Sequence, residues 1–421
     1  MAPASSRGPA PLCGSFLSLE EILKTPDDGE EGHIVEVDLT FPPEIHETLK
    51  EYPPAPENLS PKIEWFSEFQ KELGKKTGHI KENNTYNSTS KLIPHLSEHK
   101  NYVIHYRNLK FLAELGVEVT KLHKTMSFKQ KPWLKQYIDF NTQKRTLAKN
   151  EFEKDFFKLM NNAVFGKTME NVKNRVDLRI ATTEERAIRH FTKPTYKNSE
   201  YFNGLYMIEH FKKKIVYDKP IYVGTSILDL SKVCMMDFHY NVIQKNFHGN
   251  YNLLYSDTDS LVYSIRCPDI YDWMNKNRHH FDLSETVRPE MLDTTNKKVI
   301  GKMKDEANGH IITEFTALNP KVYSFKHQTY DQSMNIKIKN KKTCKGVSKV
   351  VVKNEINHDD YVSVLTTGET INRTVTGFRS YNHEIFTVRT SKSALTAFYD
   401  KQVMVDELHC LPFGYCQPPE R

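Results

Sequence analysis

The stretch Asn252-Leu253-Leu254-Tyr255-Ser256-Asp257-Thr258-Asp259-Ser260-Leu261-Val262-Tyr263-Ser264-Ile265 decides how the rest of the chain is read. Two short β-prone runs, Asn252 to Ser256 and Ser260 to Ile265, flank Asp257-Thr258-Asp259, and the pattern predicts a hairpin with acidic residues at its tip. Leu253, Leu254, Leu261 and Val262 give the strands apolar bulk that can hold the tip rigidly. Two carboxylates one residue apart on such a tip can share hard cations. Mg²⁺ takes oxygen ligands and is commonly held by one or two carboxylates plus substrate phosphates. A pair of such ions activates an attacking oxygen and stabilises the leaving one in phosphoryl transfer. Taken alone, Asp-Thr-Asp is also an ordinary polar turn, because Asp is a common turn residue.

Outward from the hairpin, apolar residues recur at helical spacing from Phe111 to about Asn174, most clearly from Glu151 onward at Phe152, Phe156, Leu159, Met160, Ala163 and Val164. A long helix is expected over Glu151 to Asn174. On it Lys154, Lys158 and Asn162 share one stripe, continued a turn later by Phe165 and Gly166. Lysines on that stripe suit a triphosphate, Phe165 offers a flat face, and Gly166 allows close approach. A second helix is expected from about Ile227 to Phe247, opened by Ser226 with Asp229 three residues on, which is capping-box spacing, and closed by Gly249. Asn308-Gly309 favours a type I′ turn, predicting a further hairpin between Val299 to Glu306 and His310 to Leu318. The first 20 or so residues read as a poorly ordered tail, and Pro53, Pro54, Pro56 and Pro61 mark an irregular stretch.

Composition narrows the classes. With 17 Gly and 20 Pro among 421 residues, and 3 Trp, 21 Tyr and 23 Phe, the chain is neither collagen-like nor wholly disordered. No run approaches the roughly 18 apolar residues of a membrane span, so a soluble protein is expected, with no membrane partner. The cysteines at 13, 234, 267, 344, 410 and 416 are scattered and no apolar leader precedes them, which points to a reducing, intracellular compartment, the nucleus included. The net charge of +6 is modest, but its distribution is not even. From Lys321 to Lys353 there are nine lysines and one acid, Asp331. A second cationic stretch from Lys121 to Lys158 is interleaved with Phe128, Trp133 and Tyr137. Cations beside aromatics suit a phosphate backbone and stacked bases, although either stretch alone could be a solvated face. Gly74-Lys75-Lys76-Thr77 lacks the order of a phosphate-binding loop, and His409, Cys410 and Cys416 lack the partner pair of a zinc site.

Tyr255 to Ser260 resembles the third polymerase motif of family B DNA polymerases, usually Tyr-Gly-Asp-Thr-Asp-Ser. Lys158 to Gly166 resembles the second, Lys-x-x-x-Asn-Ser-x-Tyr-Gly, with Ala163 and Phe165 in place of Ser and Tyr. Lys321-Val322-Tyr323 resembles the Lys-x-Tyr motif that holds the primer terminus, and Lys345-Gly346-Val347 the start of the thumb. The resemblance runs from about residue 30 to the end and is closest to the protein-primed viral branch and the polymerases of Polinton (Maverick) transposons.

That resemblance implies an α+β right-hand fold. It divides the chain into a tail (residues 1–30), a partial palm with an insertion (31–120), fingers (121–180), a palm carrying the catalytic hairpin (181–330) and a thumb (331–421). It implies a DNA-directed DNA polymerase acting in DNA replication, extending a primer on template DNA with dNTPs and two Mg²⁺ or Mn²⁺ ions, with a terminal priming protein as partner. Asp259 and Asp257 would be the catalytic metal ligands. Lys158, Lys154, Asn162, Phe165 and Gly166 would bind the nucleotide, and Lys321, Tyr323, Lys345 and Gly346 the primer and template. The family's first motif, Asp-x-x-Ser-Leu-Tyr-Pro, is not found. In Asp38-Leu39-Thr40-Phe41-Pro42-Pro43 the aromatic and the first proline come two residues early. The chain therefore reads as starting just after that motif and after the exonuclease, as a truncated copy. The rival reading is a polymerase-derived nucleic-acid-binding protein without turnover. A reverse transcriptase is disfavoured, since those enzymes place two adjacent aspartates where Thr258 intervenes here.

Overall fold

The computed structural model describes residues 17–330, 336–381 and 384–416. The N-terminal tail to residue 16, with Cys13, lies outside them, as do residues 331–335 of the lysine-rich stretch. Every pair of named strands is antiparallel, and helices and strands are mixed along the chain, an α+β arrangement as expected.

The first region runs α1 (Leu19–Lys24), β1 (Glu31–Thr40), α2 (Pro43–Leu49), β2 (Glu57–Leu59), α3 (Glu68–Lys76), β3 (Lys91–Ile93), β4 (His99–His105), α4 (Tyr106–Glu114) and β5 (Glu118–Lys129). β1 is the centre of a sheet ordered β4-β1-β5. Its alternate residues Val35, Val37 and Leu39 are buried against Leu109 and Leu112 of α4 and against Met236 and Tyr240 from later in the chain. The helical spacing read from Phe111 onward is interrupted here. Glu118 to Lys129 is a strand, because Val119, Thr120 and Thr125 suit an extended backbone and the free edge of β1 supplies ten register partners.

The middle region holds α5 (Lys135–Thr146), α6 (Glu151–Thr168), the three-stranded sheet of β6 (Asp177–Ala181), β7 (Tyr196–Phe202) and β8 (Leu205–His210) with α7 (Glu184–Phe191) against it, and α8 (Ile221–Asp237). α6 forms where the spacing predicts it, opened by the Asn150 side chain accepting from the Glu153 N–H, but it ends at Thr168 rather than Asn174. α8 begins six residues before the expected Ile227. Ser226 is no cap. Its hydroxyl turns back to the Tyr222 carbonyl at 2.8 Å, while the buried Asp229 carboxylate accepts the His105 N–H at 2.9 Å. A tertiary acceptor role thus replaces the local one, and the helix continues as a π-helical stretch over Phe238–Gln244.

The expected hairpin follows as β9 (Tyr251–Asp257) and β10 (Ser260–Ile265), then α9 (Ile270–Lys276). The hairpin expected around Asn308-Gly309 does not form. Both residues have positive φ, 53° and 90°, as a type I′ turn needs. The Asp305 carboxylate, however, takes the N–H groups of Ala307 and Gly309 at 2.8 and 2.6 Å. A local side-chain turn so satisfies the backbone that a ladder would have used. Instead β11 (Ile312–Asn319) pairs forward with β12 (Val322–Tyr330), which pairs with β13 (Ile336–Cys344). α10 (Lys349–Glu355) and α11 (His358–Thr367) pack on that sheet, and β14 (Ile371–Tyr381) and β15 (Glu384–Leu395) form a long two-stranded ribbon. Two short strands, β16 (Val403–Met404) and β17 (Cys410–Leu411), close the chain. The five described cysteines form no disulfide.

Candidate functional site

The acidic tip is a two-residue turn. Asp257 pairs with Ser260, and the Asp259 N–H donates to the Asp257 carbonyl at 2.6 Å. Thr258 is held at φ 55°, the left-handed region that a β-branched residue rarely occupies. Its hydroxyl donates to Asp257 Oδ1 at 3.2 Å. The Asp259 carboxylate is exposed and makes no hydrogen bond or ion pair among the described residues. The turn thus presents one open carboxylate, Asp259, and a second, Asp257, whose oxygens are engaged by the Thr258 hydroxyl and by Lys321; carboxylate oxygens are the donor type that Mg²⁺ takes.

Lys321 occupies the tight turn between β11 and β12, at φ 62°. From there its ammonium pairs with Asp257 Oδ2 at 2.5 Å and its N–H donates to the Tyr255 hydroxyl at 2.8 Å. The carboxylate beside it raises the Lys321 pKa, chiefly through that hydrogen bond. Burial, more than the neighbouring Asp257, raises that of Tyr255. The Lys321 carbonyl in turn accepts the Lys345 N–H at 3.0 Å, next to Gly346 at φ 90°. Residues far apart in sequence, Asp257, Lys321, Tyr323, Lys345 and Gly346, are thus gathered at one place.

Aromatic rings run away from this point. Tyr255 and Tyr323 have centroids 5.1 Å apart, Phe315 stacks on Tyr323 at 5.9 Å and on Phe325 at 6.5 Å, and His327 follows Phe325 at 5.7 Å. Across the ladder, Lys341, Lys339 and Lys337 stand opposite Phe325, His327 and Thr329 and are exposed, with the Lys341 ammonium 5.6 Å from the Phe325 ring centre. Directly opposed residues share a sheet face. The face that starts at the acidic turn therefore continues as a row of rings flanked by lysines; Phe325 is buried within it, while Tyr323, Phe315 and His327 stay partly exposed and, with the lysines, pair stacking surface and charge as a nucleic-acid strand can use them. The turn chemistry was open to sequence reading; this ring row was not, because its members alternate between three strands whose register is a tertiary property.

The stripe on α6 exists but stands apart. Lys158, Asn162 and Gly166 are exposed, Phe165 is half-buried, and Lys154 pairs with Glu151 at 3.1 Å. A Cβ at Gly166 would meet nothing within 4 Å. The apolar row that signals the helix is largely open too, Phe152 being 79% exposed. No hydrogen bond, ion pair or ring contact among the described residues joins this stripe to the acidic turn. The connection is indirect: Thr168 and Met169, where α6 ends, lie against Gly224 of α8, and in the π-helical continuation His239 bonds the Tyr263 hydroxyl of β10 at 2.9 Å.

Asp38 does not join the turn. It is buried in β1, accepting the Asn101 N–H at 2.8 Å with His123 Nε2 at 2.7 Å, and these bonds hold its pKa below the usual carboxylate range. Among the described residues, the group of three His, Cys, Asp or Glu side chains close enough to share an ion is Glu57, His95 and His99. The His95-x-x-x-His99 spacing was its one visible signal, with Glu57 too distant in sequence to be associated.

Compared with known proteins, the chain matches no family model, no curated protein and no solved structure. Among the described residues no helix is long and apolar enough to cross a membrane.

Proposed function

We propose that the chain is the fingers, palm and thumb portion of a family B DNA-directed DNA polymerase, extending a DNA primer on a template with dNTPs, with a terminal priming protein as partner. The observation that supports this most is the meeting of two separately read motifs: Asp257 of the acidic turn and Lys321 of Lys-Val-Tyr form an ion pair at 2.5 Å, over paired Tyr255 and Tyr323 rings. Asp259 and Asp257 would hold Mg²⁺ or Mn²⁺, which when bound supplies charge neutralisation at the phosphates and an activated attacking oxygen. Lys321 occupies Asp257 Oδ2 in the meantime, and on substrate binding its ammonium is within reach of a primer phosphate instead. Tyr323 and the ring row would carry the primer strand, Lys345 and Gly346 its flank. Lys158 and Lys154 would meet the triphosphate, with Asn162, Phe165 and Gly166 beside the nascent pair.

A second reading, a nucleic-acid-binding protein without polymerisation, is favoured by two observations: β9 and β10 pair only with each other among the described residues, and Asp38 is engaged elsewhere. Primer extension with Mg²⁺ or Mn²⁺ separates the two, with Asp259→Ala as control and DNA binding followed in the same samples. Extension that disappears in the variant while binding persists is the expected result. Binding without extension by the unmodified chain would replace the polymerase reading by the second.

A further inference from the structure

Glu57, His95 and His99 come from three segments of the first region. Glu57 opens β2 opposite Ile93 of β3, His95 bridges to Phe413 near the other end of the chain, and His99 opens β4. The two imidazole rings lie parallel, 4.1 Å apart, and both are almost fully buried. Glu57 Oε2 is 3.0 Å from His95 Nε2 and 3.9 Å from His99 Nε2. His95 Nδ1 is buried with no partner.

The decisive contact is at His99. Its Nδ1 is 2.8 Å from the Ser97 carbonyl oxygen and its Nε2 is 2.8 Å from the Ala55 carbonyl oxygen. A neutral imidazole has one N–H and one lone pair. Whichever tautomer is chosen, a lone pair then faces a carbonyl oxygen at hydrogen-bond distance. Ala55 reaches this position through a positive φ of 55°, uncommon for alanine, so the chain bends its backbone to aim that carbonyl. Two electron-rich atoms held together in this way require a positive species between or upon them. A second proton would set a charged ring face to face with His95 at 4.1 Å, in a place closed to water. A metal ion has no such conflict, because it binds the neutral ring. With Nδ1–H donating to Ser97, the His99 tautomer is the one a metal-ligating histidine adopts, its far nitrogen oriented by a backbone carbonyl.

We infer that Glu57, His95 and His99 form a binding site for Zn²⁺ that fastens the proline-rich segment before β2 to β3 and β4. Two imidazoles and a carboxylate, with ligand atoms within 4.8 Å of one another, make an N₂O set suited to a borderline ion such as Zn²⁺. Mg²⁺, which favours oxygen ligands, belongs at the acidic turn instead. The Ala55 carbonyl or a water entering past the partly exposed Glu57 completes four ligands. On binding, His95 would exchange its 3.0 Å contact with Glu57 for the ion, while its Nδ1, which has no partner, loses nothing by the shift.

The site is tested on the full chain, stripped with a chelator and titrated with Zn²⁺ by calorimetry, followed by X-ray absorption at the zinc edge. One saturable equivalent with a nitrogen and oxygen shell is expected. Binding should weaken about a hundredfold or more in Glu57→Gln and His95→Gln, since even outer partners of such sites contribute about 10- to 100-fold. Both variants keep side-chain size, and metal-free circular dichroism equal to that of the unmodified chain shows that they fold. Asp257→Asn should bind Zn²⁺ unchanged, which separates this site from the polymerase reading. Absence of saturable binding, a sulfur shell from Cys410 or Cys416, or affinity untouched by both substitutions would overturn the inference.

Discussion

Asp38 and Asp259 are both carried by β-structure, yet the protein treats them in opposite ways. Asp38 sits in the centre strand of a three-stranded sheet, buried, with the Asn101 N–H and the His123 ring on its carboxylate. Asp259 ends a two-stranded hairpin, exposed, its carboxylate without a protein partner among the described residues. A satisfied carboxylate belongs to the frame; an unsatisfied one at a rigid tip is open to a cation. The sheet around β1 is accordingly the part of the molecule where substitutions should change stability, and the β9–β10 tip the part where they should change chemistry.

The largest expected effect tests the frame under both regions at once. His105, at the end of β4, and His239, under β10, are buried, and burial pushes each down to about 4 from an ordinary value near 6.5. As pH falls the unfolded chain takes up these protons before the folded one does. The stabilisation is therefore complete above about pH 6.5 and is lost progressively as pH falls toward about 4, roughly 3 kcal/mol for each ring. Urea unfolding from pH 8 to pH 4 should show a steep loss over that window, shallower in His105→Gln and in His239→Gln. A flat profile between pH 7 and pH 4.5 would contradict the buried neutral rings.

Next comes the comparison itself. Asp259→Ala should reduce primer extension by at least about a thousandfold, on the order of 4 kcal/mol of transition-state stabilisation, and leave unfolding within about 0.5 kcal/mol. On the other side, Leu39→Ala, at a side chain that is 0% exposed in the main core, should cost about 2 to 5 kcal/mol, whereas Leu254→Ala, 44% exposed on β9, should cost under about 0.5 kcal/mol. Equal losses at Leu39 and Leu254 would mean that the hairpin is as much a part of the core as β1.

How much of this was legible in the sequence follows from the range of the forces involved. The acidic hairpin and α6 are determined locally, by alternation around a turn and by a capped apolar period; the hairpin forms where expected, and α6 starts where expected but ends at Thr168, six residues before Asn174. Misread elements are those in which a distant partner wins. Glu118 to Lys129 is a strand because β1 offers an edge, Ser226 is inside a helix because Asp229 is needed at His105, and Asn308-Gly309 closes on Asp305 instead of a ladder. The gathering of Asp257, Lys321 and Tyr323 was implied by the family resemblance alone, since nothing in the spacing of 64 residues brings Lys321 to Asp257. Glu57, His95 and His99 carry no joint signal in the sequence for the same reason.

The smallest effect concerns what holds the tip in shape. Thr258 lies at φ 55°, where a β-branched residue is disfavoured by about 1 to 2 kcal/mol, while Asn enters that region readily. The strain persists because the β9–β10 ladder and the Asp259 N–H bond to the Asp257 carbonyl over-determine the turn. Thr258→Asn should therefore raise unfolding stability by about 1 kcal/mol, measured in urea. The same change removes the hydroxyl that donates to Asp257 Oδ1 and leaves the Lys321 ion pair on Oδ2 to orient that carboxylate alone. Extension should fall a few-fold while stability rises, an opposition expected where strain is kept for positioning and not for folding. If stability does not rise, the turn is not strained at Thr258, and the rigid presentation of Asp257 and Asp259 must come from the strands alone.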